Sequence, residues 1–264
     1  MKKILSLLLL SAAPVISLAW GPNGHDAIAY IAERNITEKT AETLSYYLEG
    51  RSIVYYANWM DEMRRLAPYK GTLEGHSFAV DANLELRLLE DPTNTLAGGH
   101  DDGLFQYLKM VQSIAGGRYK PLSKEEVALA IKKIVHLVGD YHCPAHVRYM
   151  GVPSKNIVYN GKKVKYHTFW DSTLITSCHR WNYMEYGYAL GRLSEQEEAE
   201  ITAGDICDWC EETARECRCI HDWVSDGDEF TKQMVYDLAL PLADSQLQKA
   251  GYRLAKVLNE LFGN

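Results

Sequence analysis

The stretch 123–140 constrains the fold of this chain more than any other. Ser123-x-x-Glu126 is a capping box, in which the serine and glutamate side chains satisfy the first free amides of a helix. Val127, Ile131, Ile134, Val135 and Val138 follow at helical spacing, giving the helix one apolar face. His136 and Asp140 stand four residues apart near its end, roughly 40° apart around the axis, so both project the same way. Imidazole with carboxylate is a donor pair that suits a divalent metal such as zinc.

Helical spacing recurs elsewhere. It runs over 24–35, with Ile28, Ile31 and Ala32 on one face, and over 37–50, with Leu44, Tyr47 and Leu48 and Gly50 as the stop. A last helix is expected over 244–262, with Leu247, Leu254, Val257, Leu258 and Leu261. One segment departs from this pattern. Residues 157–166 hold Asn160-Gly161 between β-formers, the strongest short signal for a hairpin. Loops are expected at 91–102, 116–121 and 151–156. No internal repeat, low-complexity tract or dividing linker is present. The expected fold is mainly α, one helical domain with a small β-hairpin.

Residues 1–19 read as a secretory signal peptide: Lys2 and Lys3, an apolar run over 4–10, and Ser17-Leu18-Ala19 at the end. The run is too short to cross a bilayer, which takes about 20 residues, and no other stretch approaches that length. No cysteine lies near the cleavage point, so a lipid anchor is not expected. The layout is therefore 1–19 as signal and 20–264 as the mature domain, exported to periplasm or medium. Removal of Lys2 and Lys3 takes the net charge from −7 to −9. That balance speaks against a long basic groove gripping phosphates, although bound cations do not enter such a count. Six cysteines, Cys143, Cys178, Cys207, Cys210, Cys217 and Cys219, are an even number in an exported chain, so disulfides are expected, with their pairing open. Cys207-x-x-Cys210 with Cys217-x-Cys219 offers a thiolate zinc site as an alternative. Asn35-Ile36-Thr37 matches a glycosylation acceptor.

The histidines carry the chemistry. His167 and Asp171 repeat the four-residue spacing just after the hairpin. Pro144 ends or kinks the preceding helix, which lets His146 turn to a neighbouring position. His142 lies about 200° round from Asp140 on an unbroken helix and reads as structural. His100, His179 and His221 read as ordinary. Signal cleavage would free the amino group of Trp20, whose pKa near 8 would let it chelate a metal together with its own carbonyl, close to His25.

Five motifs occur in order along the chain. They are Trp20-Gly-x-x-Gly-His25, Asn58-Trp59-Met60-Asp61-Glu62-x-Arg64, His136-Leu-Val-Gly-Asp140-x-His142-x-Pro144-x-His146, His167-x-x-Trp170-Asp171 and Ala250-Gly251-Tyr252-Arg253-Leu254-Ala255. Together they resemble the zinc-dependent single-strand-specific nucleases and 3′-nucleotidases of the S-one/P-one type, and they span the mature chain.

The resemblance implies a helical fold that holds three zinc ions. It places one ion on Asp61, His76, His136 and Asp140, and a second on the Trp20 amino and carbonyl groups, His25 and the shared Asp140. A third falls to His146, His167 and Asp171. It implies hydrolysis of single-stranded DNA or RNA, and of the 3′-phosphate of nucleotides, by a zinc-activated hydroxide. Arg64 would contact the phosphate, Asp61 would orient or deprotonate the nucleophile, and Phe78 with Asp81 would form the base pocket. Two departures from the family pattern stand out: Cys143 and Ala145 where glutamine and a larger apolar residue are common, and Ser77 between His76 and Phe78. A zinc-dependent phospholipase C, similar in fold and metal set, is the rival enzyme reading. A non-catalytic zinc-binding scaffold is the other. The substrates implied are single strands and 3′-nucleotides, the chain is expected to be a monomer, and nothing in the sequence implies a protein partner.

Overall fold

A computed structural model of the chain describes residues 20–73, 75–87 and 103–264; the expected signal peptide, the 91–102 loop and His100 lie outside these. The described residues are mainly helical, as expected. The first half holds α1 (Gly21–Glu33), α2 (Glu38–Tyr47), α3 (Trp59–Met63), α4 (Gly103–Ile114) and α5 (Lys124–Asp140). The second half holds α6 (Tyr166–Thr168), α7 (Leu174–Cys178), α8 (Tyr183–Ala189), α9 (Glu195–Ile201), α10 (Ile206–Cys217), α11 (Lys232–Met234) and α12 (Leu240–Phe262).

The predicted capping box forms in full at the start of α5: Ser123 Oγ accepts from the Glu126 amide, and Glu126 accepts from the Ser123 amide. Ten residues of α5, from Val127 to Asp140, are buried, so the helix runs through the core and delivers His136 and Asp140 to its interior. Helix α1 packs most extensively on α12 and also touches α5. Close approach there depends on Gly251, where a Cβ would stand 2.5 Å from Ile31 Cγ2. That contact accounts for the glycine of the Ala250-Gly251 motif.

The hairpin forms as β3 (Asn156–Tyr159) paired antiparallel with β4 (Lys162–Lys165) through Asn160-Gly161, both at positive φ as a two-residue turn of this kind requires. A second pairing was not legible in the sequence. β1 (Phe78–Val80) runs parallel to β2 (Val147–Tyr149), with Phe78 opposite Val147. Three-residue strands leave too little alternation to read, yet this pair matters, because it fixes the residues before β1 beside those before β2. The last helix begins at Leu240, earlier than its apolar spacing suggested, and is continuous with the π-helical turn Val235–Ala239.

The disulfides expected from the cysteine count are not formed among the described residues. Cys207, Cys210 and Cys217 all lie on α10, where a rigid helix fixes the direction of each side chain, and Cys210, Cys217 and Cys143 are fully buried. Among the described residues, none of the four cysteines 207, 210, 217 and 219 belongs to a cluster able to hold a metal. Nor, among them, is any helix long and apolar enough to cross a membrane.

Candidate metal centre

Asp140, at the end of α5, is fully buried and lies against four imidazoles. Its carboxylate stands 2.7 Å from His76 Nδ1, 3.2 Å from His136 Nε2, 3.3 Å from His25 Nε2 and 3.8 Å from His146 Nδ1. Each ring arrives from a different place in the chain. His25 comes from the second turn of α1, His136 from α5 itself, His76 from the loop before β1, and His146 from the short 3-10 turn Pro144–His146 before β2. Pro144 ends the helical run as its sequence position predicted. The β1–β2 register then draws the loops together, so that His146 Nδ1 donates to the His76 carbonyl.

The outward nitrogens of these rings are occupied, and this sets which way the lone pairs point. His136 Nδ1 meets the Ala57 carbonyl at 2.8 Å, and His76 Nε2 meets the Leu73 carbonyl at 3.0 Å. A carbonyl only accepts, so both of those nitrogens carry hydrogen, and His136 Nε2 and His76 Nδ1 face each other 3.2 Å apart, with the Asp140 carboxylate 3.2 and 2.7 Å from them. Without a metal a shared proton holds these nitrogens against the carboxylate, and a divalent metal takes the place of that proton. Asp61 from α3 adds its carboxylate 3.8 Å from both rings. Asp61 Oδ2, Asp140 Oδ1 and both nitrogens of His25 are buried with no hydrogen-bond partner. Orphaned polar atoms in a core cost about 1–3 kcal/mol each, and a bound metal removes the penalty. His25 and His136 stack at 4.2 Å between ring centroids, which lets both approach one carboxylate. The donor set fits a divalent metal of the zinc type.

The second part of the centre lies beside it. The π-helical turn Phe169–Thr173 places Asp171 so that its carboxylate stands 2.9 Å from His167 Nε2 and 3.3 Å from His146 Nε2. π-turns of this kind recur at functional sites. Cys143 joins the group. Its sulfur lies 3.8 Å from Asp171 Oδ1, and Cys143, His146 and Asp171 form one of three clusters among the described residues with ligand atoms all within 4.8 Å. His167, 42% exposed, is the member that reaches solvent.

The charges answer one another. Burial by itself works to raise Asp140, but the imidazoles of His136, His146 and His76 hold it well below the usual carboxylate range. Burial works to lower His136 and His146, yet the facing carboxylates hold both up at about 9. His25 is pushed down by burial and by its neighbour His136.

Trp20 is the residue that positions α1. It is fully buried in the left-handed region at φ 48°, and its Nε1 donates to the Gly139 carbonyl at 2.9 Å. Gly24 is needed because a Cβ there would meet Trp20 Cβ at 2.7 Å. The Trp20-Gly-x-x-Gly-His25 motif is thus a packing unit that sets His25 against Asp140.

The sequence pattern of the S1/P1 nuclease family matches residues 20–263. The chain belongs to the S1/P1 nuclease family. The S1/P1 chain is a hydrolase of ester bonds. It is 23% identical to Endonuclease 3 of Arabidopsis thaliana, covering 98% of this chain and 94% of that one. It is also 23% identical to Nuclease P1 of Penicillium citrinum (93% and 98% covered) and to Nuclease S1 of Aspergillus oryzae (96% of each).

Within this S1/P1 chain the remaining expected site residues fall in different places. Arg64, at the end of α3, holds Asp61 Oδ1 at 3.6 Å on the solvent side of the cluster. Phe78 is core: it is 1% exposed on β1 and packs edge-on against Tyr141. Asp81 is partly exposed, and its Oδ1 accepts from the amides of Asn83 and Glu85, capping the turn after β1. Neither presents a face to a base. A cavity of about 530 Å³ lies instead beside His167, with Tyr149, Tyr166 and Trp170 in its wall and Arg87, Arg148 and Lys155 around it. Sequence reasoning did not find this recess, because its walls come from five separate stretches. His142 is structural as expected, its Nδ1 on the Val138 carbonyl and its Nε2 accepting from Arg253.

Proposed function

We propose that this S1/P1 nuclease is an exported, zinc-dependent phosphodiesterase that cleaves single-stranded DNA and RNA and removes the 3′-phosphate of nucleotides. The observation that carries the reading is the buried carboxylate of Asp140 shared by four imidazoles in the core. The residues that would hold zinc are Asp61, His76, His136 and Asp140 for one ion, Trp20, His25 and Asp140 for a second, and His146, His167 and Asp171 for a third. When bound, zinc supplies Lewis acidity and a nucleophile available near neutral pH.

The chain's own groups do the rest. Asp61 Oδ2, which has no hydrogen-bond partner, is the acceptor that orients the attacking water or takes its proton. Arg64, anchored through Asp61 Oδ1, brings its guanidinium to the phosphoryl oxygens and balances the charge they gain. The role assigned to Phe78 and Asp81 passes to the recess beside His167, where the cationic groups of Arg87, Arg148 and Lys155 suit a phosphate of the bound strand. The acidity of the chain fits this arrangement, since Asp61, Asp140 and Asp171 face the centre and divalent ions would concentrate positive charge where one phosphate sits.

The purified protein incubated with single-stranded DNA, RNA, 3′-AMP and phosphatidylcholine decides among the readings. Hydrolysis of the nucleic acids and of 3′-AMP, with the lipid untouched, is expected. Cleavage of the lipid alone would favour a phospholipase, and zinc-loaded protein inert on all four would favour a scaffold.

A further inference from the structure

Cys143 is the nucleophilic side chain closest to the centre that the proposed chemistry does not use. It is fully buried and lies one residue before the turn that carries His146. Its sulfur shares a cluster with His146 and Asp171. The separations suit one ion. With metal–sulfur near 2.3 Å and metal–oxygen or metal–nitrogen near 2.0 Å, tetrahedral donors stand roughly 3.3–3.5 Å apart. Here Sγ to Asp171 Oδ1 is 3.8 Å and His146 Nε2 to the same oxygen is 3.3 Å. Two backbone amides, those of Ala145 and Trp20, lie within hydrogen-bond reach of the sulfur. The same Asp171 carboxylate also meets His167 Nε2 at 2.9 Å, so sulfur, nitrogen and oxygen donors converge at this one position.

We propose that Cys143 supplies a thiolate to the metal held by His146, His167 and Asp171, so that this position has a sulfur donor beside its nitrogen and oxygen donors. The inference rests on the metal reading of the site. On binding, the sulfur–hydrogen bond breaks, the sulfur keeps the electron pair and shares it with the metal, and the proton leaves to solvent, as for coordinating thiols generally. In a metal-free core the thiol is a weak donor to Asp171. With metal bound, it becomes a soft ligand that favours zinc over magnesium, calcium or manganese at this position.

X-ray absorption at the zinc edge of the zinc-loaded protein, with zinc counted by mass spectrometry, tests this. A sulfur shell near 2.3 Å is expected in the wild type. It is expected to vanish in Cys143→Ser, with Cys143→Ala as a second variant should serine disturb folding. Cobalt-substituted protein should likewise show a thiolate-to-cobalt charge-transfer band that both variants lose. Bound zinc with only nitrogen and oxygen neighbours would overturn the thiolate and leave Cys143 as a hydrogen-bond donor that positions Asp171. A sulfur shell that persists in both variants would also overturn it. Protein that binds no zinc would overturn the metal reading itself.

Discussion

At the scale of single residues, the centre depends on how closely α1 and α5 approach. Gly139 sits in α5 where a Cβ would stand 2.9 Å from His25 Nδ1 and 3.3 Å from Ile28 Cδ1. Gly139→Ala should push His25 off Asp140 and weaken zinc retention about 10–100-fold, the usual effect of disturbing the support of a ligand, read by competition with a chelator. Arg64→Ala removes a charged partner of the phosphate and should lower kcat/KM roughly 10–100-fold, with zinc content unchanged. His142 gives a pH signature. Burial and the neighbouring Arg253 push it down to about 3, so it is neutral in the fold. Between pH 6.5 and about 3 the unfolded chain takes up a proton that the folded chain refuses, so this residue's contribution to stability declines as pH falls through that window. Thermal melts of wild type and His142→Gln should therefore differ in slope below pH 6.5 and run parallel above it. Residues set four apart on one helix, His136 with Asp140, were legible from spacing alone. His76 was not, because only the family resemblance marked it and only the β1–β2 register explains it.

At the scale of elements, α1, α2, α5 and α12 were readable from their apolar spacing, whereas α4 and α10 were not read, although α10 carries its own capping box at Asp205. The capping box at Ser123 and the apolar face of α5 gave both the start of the helix and the buried side that carries the ligands. Ser123→Ala should cost about 1 kcal/mol, lowering the Tm by a few degrees while zinc content stays the same, because the cap lies at the opposite end of α5 from Asp140. The hairpin was readable from Asn160-Gly161. By contrast, α3 spans only Trp59–Met63 and the π-turn only Phe169–Thr173, lengths at which periodicity carries no signal. These short elements hold Asp61 and Asp171. Their placement comes from packing on α5 and α1, so the regular elements were visible before the ones that finish the site.

At the scale of the whole molecule, residues as far apart in sequence as His25 and His146 meet around the Asp140 carboxylate, and the acidity of the chain changes meaning. An overall negative charge argues against wrapping a duplex, while buried aspartates facing imidazoles argue for cations that would receive a single phosphate. The recess beside His167 extends the centre outward to solvent and is the part of the site that no sequence motif announced. The central claim is that Asp140 joins the ligand sets into one metal centre. Zinc counted per chain by mass spectrometry, on protein beginning at Trp20 and on its Asp140→Ala variant, tests it most directly. About three zinc ions are expected for the wild type and about one for the variant, since only the set of His146, His167 and Asp171 lacks Asp140. An unchanged zinc count in a folded Asp140→Ala variant, or a wild type that binds none, would contradict the account.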